Sequence, residues 1–168
     1  MVQHYLIAED DKNLRLLIQQ AYSSLGLQDV AMHYVEDGQE AIDYLEGTGR
    51  FADRSMFPLP SVVLLDFKMP RKNGLDVLSW VRQSSLKEMV VVVFSGSDAE
   101  RDVHHAYQFG ANSFIPKPNS FSDLKHVLSV IHHYWFGFNY IPKVGGGIIG
   151  RAQTPFRVVA REFSAEGK

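Results

Sequence analysis

YLIAEDD, Tyr5 to Asp11, sets four apolar residues against three consecutive acids. The apolar part has the look of a strand buried on both faces, and its charged end needs explaining. Carboxylates about 4 Å apart repel by roughly 4 kcal/mol at an effective dielectric near 20. Either the three acids splay into water, or some of them hold a cation.

Outward from this stretch the apolar positions switch repeatedly between two periods. Immediately downstream, Leu14, Leu17, Ile18, Ala21, Tyr22 and Leu25 recur at helical spacing, and Gly26 supplies the stop. Further short runs, Val30 to Val35, Ser61 to Leu65, Val90 to Phe94 and Asn112 to Ile115, join His4 to Ala8 as predicted strands buried on both faces. Helical patterns separate them at Gly38 to Leu45, Asn73 to Gln83 and Ala99 to Phe109, and Leu124, Val127, Leu128, Ile131 and Trp135 close the series. Gly47 to Pro60 reads as a long loop before the third strand. Five strands alternating with five helices predict an α/β fold, a doubly wound parallel sheet with helices on both faces, because each parallel connection needs a crossover.

Composition narrows the class. The 168 residues are 45% hydrophobic, enough for one sizeable core and few for two. A formal charge of -2 argues against a nucleic-acid surface over the whole molecule, and the apolar runs are too short to span a bilayer, so neither nucleic acid nor membrane is an expected partner. Without cysteine, disulfides and thiolate metal sites are excluded; a cytoplasmic protein is expected. The charge is uneven. Residues 141–168 hold five basic and two acidic residues, which leaves a net charge of -5 on residues 1–140.

In an open parallel sheet the ligand site lies beyond the carboxyl ends of the strands. After the first strand come Glu9, Asp10 and Asp11; after the third, Asp66; after the fourth, Ser95; after the fifth, Lys117. Acids hold a hard divalent ion, a carboxylate attacks phosphorus, and hydroxyl and ammonium groups neutralise the transferred oxygens. These residue types in this order point to a phosphoryl-acceptor site. Asp11 is read as the N-cap of the first helix, since Mg²⁺ needs only one or two protein carboxylates.

At AEDD, LLDFKMP, the NG two positions beyond that proline, FSGS and FIPKP, the sequence resembles the receiver domain of two-component response regulators over residues 3–135. The resemblance implies the strand order 2-1-3-4-5 and a regulator that is not an enzyme. Asp66 would be phosphorylated by a histidine kinase. Mg²⁺ would be held by Asp10 directly, by Glu9 through water, by Asp66 and by the backbone carbonyl of Lys68. Ser95 takes the hydroxyl position, Lys117 pairs with the phosphoryl group, and Phe114 takes the aromatic switch position. The Lys117–Pro118 bond is expected to be cis, as is usual in that family. The long loop and the aromatic end of the last helix resemble the small regulators that partner phytochrome kinases. Lys68 and Ser97 stand where water or a phosphatase would approach the acceptor.

Two rivals were weighed. A phosphatase of the haloacid dehalogenase type wants a second Asp two residues after its nucleophile, where this chain has Lys68. A receiver-like module that no longer phosphorylates would have lost an acid or the lysine, and all are present. The paired histidines His104–His105 and His132–His133 point to different helix faces, which argues against zinc. Glu36 and Asp37 are read as a turn and a helix cap. GGGIIG at 145–150 matches a dinucleotide fingerprint literally but follows a helix, so it is read as a hinge. The expected division is a receiver domain at 1–140 and a tail at 141–168, with PFRVVAREF as a docking arm and no output domain. Trp135, Phe136, Phe138 and Tyr140 are too crowded for one helical face. They are expected either to fold back as a lid or to join a homodimer contact through helix four, strand five and helix five.

Overall fold

The computed structural model describes residues 2–27, 29–143 and 147–149. Strands β1 (Gln3–Ala8), β2 (Val30–Val35), β3 (Val62–Leu65), β4 (Val90–Ser95) and β5 (Ser113–Pro116) alternate with helices α1 (Lys12–Ser24), α2 (Gly38–Glu46), α3 (Gly74–Gln83), α4 (Glu100–Gln108) and α5 (Phe121–His132). All neighbours pair in parallel, in the order β2-β1-β3-β4-β5. This is the doubly wound sheet that the alternation predicts.

Side chains of each strand alternate between two cores, as the period of two requires. Leu6, Ala8, Val63, Leu65, Val91 and Val93 face α2, α3 and α4, meeting Leu45, Val77, Leu78 and Ala106. Tyr5, Ile7, Val62, Leu64, Val92 and Phe94 face α1 and α5, meeting Ile18, Ala21, Leu124 and Leu128. β3 and the central stretches of β1 (Tyr5 to Ala8) and β4 (Val90 to Phe94) are therefore apolar on both faces. The outer strands differ from expectation: β2 and β5 are mostly half-buried, not covered on both faces. Each has a neighbour on one side only, so its side chains meet fewer covering residues.

Helix starts follow the sequence signals. The Asp11 carboxylate accepts from the amides of Asn13 and Leu14, making it the N-cap of α1. Asp37 caps α2 by accepting from Glu40 N–H. Asn73 and Asp76 form a reciprocal capping box on α3. The end of α5 passes into π-helical turns at His133–Phe138, a widening that the helical period did not foresee. Phe136 and Ile141 are buried in the α1–α5 core and Trp135 packs partly against it, while Tyr134, Phe138 and Tyr140 stay exposed. The lid reading therefore holds for part of the aromatic end. A short antiparallel pair, β6 (Ile141–Pro142) with β7 (Ile148–Ile149), includes part of the expected hinge; residues 144–146, and the expected arm, lie outside the described residues. No helix among the described residues is long and apolar enough to cross a membrane.

Candidate functional site

Parallel strands in register deliver their carboxyl ends to one edge. Ala8 lies opposite Leu65, Leu65 opposite Val93, and Ser95 opposite Pro116. The next residues, Glu9, Asp66, Gly96 and Lys117, are thus brought to a common rim. Glu9 and Asp66 are buried, only 2% and 5% exposed, while Asp10 is exposed. Each of the three offers a carboxylate oxygen, and these atoms lie within 4.8 Å of one another, the one such group among the described residues.

Burying two acids side by side requires a counter-charge. Lys117 supplies it, with Nζ 2.7 Å from Glu9 Oε2 and 2.8 Å from Asp66 Oδ2. Burial pushes the Glu9 carboxyl up to about 7; the Lys117 hydrogen bond opposes this, and the charge of Asp66 reinforces it. Burial alone would lower Lys117, but hydrogen bonds to Asp66 and Glu9 outweigh it and leave the ammonium raised and firmly protonated. An all-oxygen donor set suits a hard divalent cation, and that ion would relieve the repulsion that Lys117 only partly balances.

The loop after β3 is moulded around Asp66. Lys68 N–H donates to Asp66 Oδ1 at 3.2 Å, and Gly74 N–H donates to Phe67 O at 3.0 Å. A Cβ at Gly74 would lie 2.7 Å from Asp66 O and 2.9 Å from Phe67 Cα, so only glycine lets α3 start this close to Asp66. The side chain of Lys68 reaches 4.0 Å from Asp102 on α4. That carboxylate also accepts from Ser97 Oγ at 2.7 Å. Lys68 and Ser97 thus share one buried acid, Asp102, which sequence reading passed over.

Ser95 is 1% exposed, and its hydroxyl accepts from Ser97 N–H at 3.1 Å. Its carbonyl accepts from Lys117 N–H at 2.7 Å, tying the β4 and β5 ends together. Phe114 is partly buried, its ring 6.2 Å from that of Phe67, the residue after Asp66. The expected cis bond at Pro118 is not found: among the described residues no peptide bond is cis. Lys117 reaches both carboxylates from a trans bond, held by its backbone link to Ser95.

Sequence reading also missed Arg15, whose guanidinium contacts the carbonyls of Glu9 and Asp10 and the carboxylate of Glu36. Its only signal was a cation in the first turn of a helix, where the macrodipole disfavours one.

The sheet order and the acid cluster at its carboxyl edge define a receiver domain of two-component signalling. Residues 5–129 match the Response regulator receiver domain family, and the chain belongs to that family. "Probable methanogenesis regulatory protein FilR2" of Methanothrix harundinacea (strain 6Ac) is 38% identical over 141 residues, spanning 82% of this chain and 86% of that protein. Response regulator RPA3017 "in red light signaling of R. palustris" is similar in structure with a TM-score of 0.80 at 30% identity, over 84% of this chain and 99% of that one. The phosphorylated cyanobacterial phytochrome response regulator RcpA gives 0.78 at 30% identity, over 85% and 100%.

Proposed function

We propose that this chain takes a phosphoryl group from the phosphohistidine of a histidine kinase onto Asp66, with Mg²⁺ held by Glu9, Asp10, Asp66 and the carbonyl of Lys68. The observation that carries the reading is the Lys117 ammonium shared between Asp66 and Glu9 at 2.8 and 2.7 Å. It gathers positive charge between the two buried acids, of which Asp66, at the end of the central strand β3, is the one read as the acceptor. In the transfer an Asp66 oxygen bonds to phosphorus while the bond from phosphorus to the imidazole nitrogen breaks, and that nitrogen takes up a proton. Mg²⁺, when bound, neutralises charge between the carboxylates and the transferred oxygens. Lys117 pairs with the new dianion, and the Ser95 hydroxyl donates to one of its oxygens. Phe114, against Phe67, senses the change.

Two similarities, to the red-light regulator RPA3017 and the phytochrome regulator RcpA, support a phytochrome kinase as donor. The chain acts in the cytoplasm as a regulator, not an enzyme, since Lys68 occupies the place of a phosphatase's second acid. Residues 1–140 form the receiver and 141–168 a docking tail, and the signal leaves through α4, β5 and α5 as a change in homodimer affinity.

Incubation with radiolabelled acetyl phosphate and Mg²⁺ tests the chemistry. The native chain should be labelled, whereas Asp66→Asn should not. Unchanged labelling of the variant would overturn the acceptor assignment, and equal labelling in excess chelator would overturn the metal.

A further inference from the structure

One guanidinium reaches back to the backbone of the neighbouring acids Glu9 and Asp10. Arg15 Nη1 donates to Glu9 O at 2.5 Å and to Asp10 O at 3.0 Å, and Nη2 meets Glu36 Oε1 at 2.8 Å. The Arg15 side chain is only 12% exposed and its contact with Glu9 O is partly buried, while those with Asp10 O and Glu36 lie at the surface. Neither carbonyl is used by the sheet or by the start of α1: among the described residues no backbone amide donates to Glu9 O or Asp10 O. A partly buried carbonyl such as that of Glu9 needs a partner, and Arg15 supplies one to it and to its exposed neighbour, Asp10 O.

The two carbonyls belong to the peptide planes on either side of the Asp10 Cα. Holding both from one nitrogen sets the backbone angles of Asp10 and hence the direction of its Cβ. The other two acids are anchored otherwise, Glu9 by Lys117 and by the Asp11 N–H at 3.2 Å, and Asp66 by Lys117 and the Lys68 N–H. Asp10, exposed, depends on its backbone for aim.

We infer that Arg15 is a positioning residue that aims the Asp10 carboxylate at Glu9 and Asp66 for capture of a divalent cation. This rests on the metal-dependent acceptor reading above. Electrostatics makes the claim unusually testable, because the two roles of an arginine beside a cation site have opposite signs. As a mere charge it repels the cation, so its removal should tighten binding. As a positioning group it should weaken binding when lost, and outer-shell partners of metal ligands are typically worth about tenfold or more in affinity.

The experiment is titration of the full chain with Mn²⁺, following free Mn²⁺ by electron paramagnetic resonance, for the native chain, Arg15→Ala and Arg15→Lys. Alanine is a strong helix former, so α1 should persist. The expected result is an affinity about tenfold weaker in Arg15→Ala, with Arg15→Lys intermediate because an ammonium keeps the charge but not the planar fork. Affinity equal to or tighter than native in Arg15→Ala overturns the inference. Should Arg15→Ala not fold, Arg15→Lys decides alone: charge is unchanged, so native affinity overturns the inference and weakened affinity supports it. Failure of the native chain itself to bind Mn²⁺ would overturn the metal reading, a result distinct from either.

Discussion

At the scale of single residues, the acceptor edge is held by contacts too close to permit substitution. Gly74 shows this best. Its missing Cβ leaves room for the Asp66 carbonyl and the Phe67 backbone, atoms that cannot rotate away as a side chain could. Gly74→Ala should therefore push α3 off the acceptor loop, at about 1–3 kcal/mol for overpacking of this kind. Urea denaturation should show that loss, and labelling by acetyl phosphate should slow because Asp66 moves with its backbone. Full stability in the variant would mean that the approach of α3 relaxes without cost. The Glu9–Lys117–Asp66 group is a different case, in which two buried acids depend on one partly exposed lysine for their counter-charge.

At the scale of elements, arginines do what backbone ladders cannot. Arg54 in the loop before β3 donates to Tyr44 O, Leu45 O and Phe57 O at 2.7, 2.6 and 3.1 Å, satisfying carbonyls at the end of α2. With Phe51 and Phe57 packed on Tyr44, this turns the long loop into a built element. Arg82 does the same for the loops beside β4 and β5, donating to Met89 O and Gly110 O. The end of α5 carries a pH-dependent contact. His132 lies 3.3 Å from the Tyr5 hydroxyl and stacks near Phe136. Burial, with His133 adding to it, pushes its imidazole down to about 4. An unfolded histidine titrates near 6.5, so as pH falls the unfolded chain takes up the proton first. The contribution is thus complete above about pH 6.5 and lost by about pH 4, reaching roughly 3 kcal/mol at 1.36 kcal/mol per unit. Unfolding followed from pH 7 to 4 should show the native chain losing more stability than His132→Phe. Parallel curves would remove His132 from the account.

At the scale of the whole molecule, the question is what covers the exposed aromatic groups. Tyr140 is 67% exposed, and Tyr107, Phe109 and Phe121 show large exposed rings on or beside α4 and α5. Phe136 and Ile141 are already buried in the molecule's own core, so a cut after Asn139 would also remove a core residue. The sharper change is Phe138→Ser with Tyr140→Ser, which leaves Ile141 in place. Analytical ultracentrifugation should find a dimer that tightens on phosphorylation and weakens in the double variant. A monomer at every concentration, phosphorylated or not, would leave these rings as surface alone and remove dimerisation from the proposed signal. Under the proposed reading Phe114, its ring 6.2 Å from that of Phe67, would connect this face with Asp66, and the coupling would be a population shift between two arrangements.

Much of this was readable in order along the chain. Apolar runs of four to six residues and helical repeats between them are local patterns, so the alternation, the caps at Asp11 and Asp37, and the polar residues at strand ends followed from spacing. Parallel order then brings Glu9, Asp10, Asp66, Ser95 and Lys117 to one edge without any knowledge of contacts. What spacing could not supply was pairing between side chains far apart in sequence. That Lys117 is shared between Glu9 and Asp66, that Asp102 gathers Ser97 and Lys68, and that Arg15 turns back to the carbonyls of Glu9 and Asp10 depend on helix rotation and on which groups burial leaves unsatisfied. The trans bond at Pro118 and the π-turns after α5 belong with these. Sequence determined which residues reach the acceptor edge, because strand ends are a local matter; tertiary structure decided how their charges are shared, because a buried charge or carbonyl takes whichever partner packing brings within reach.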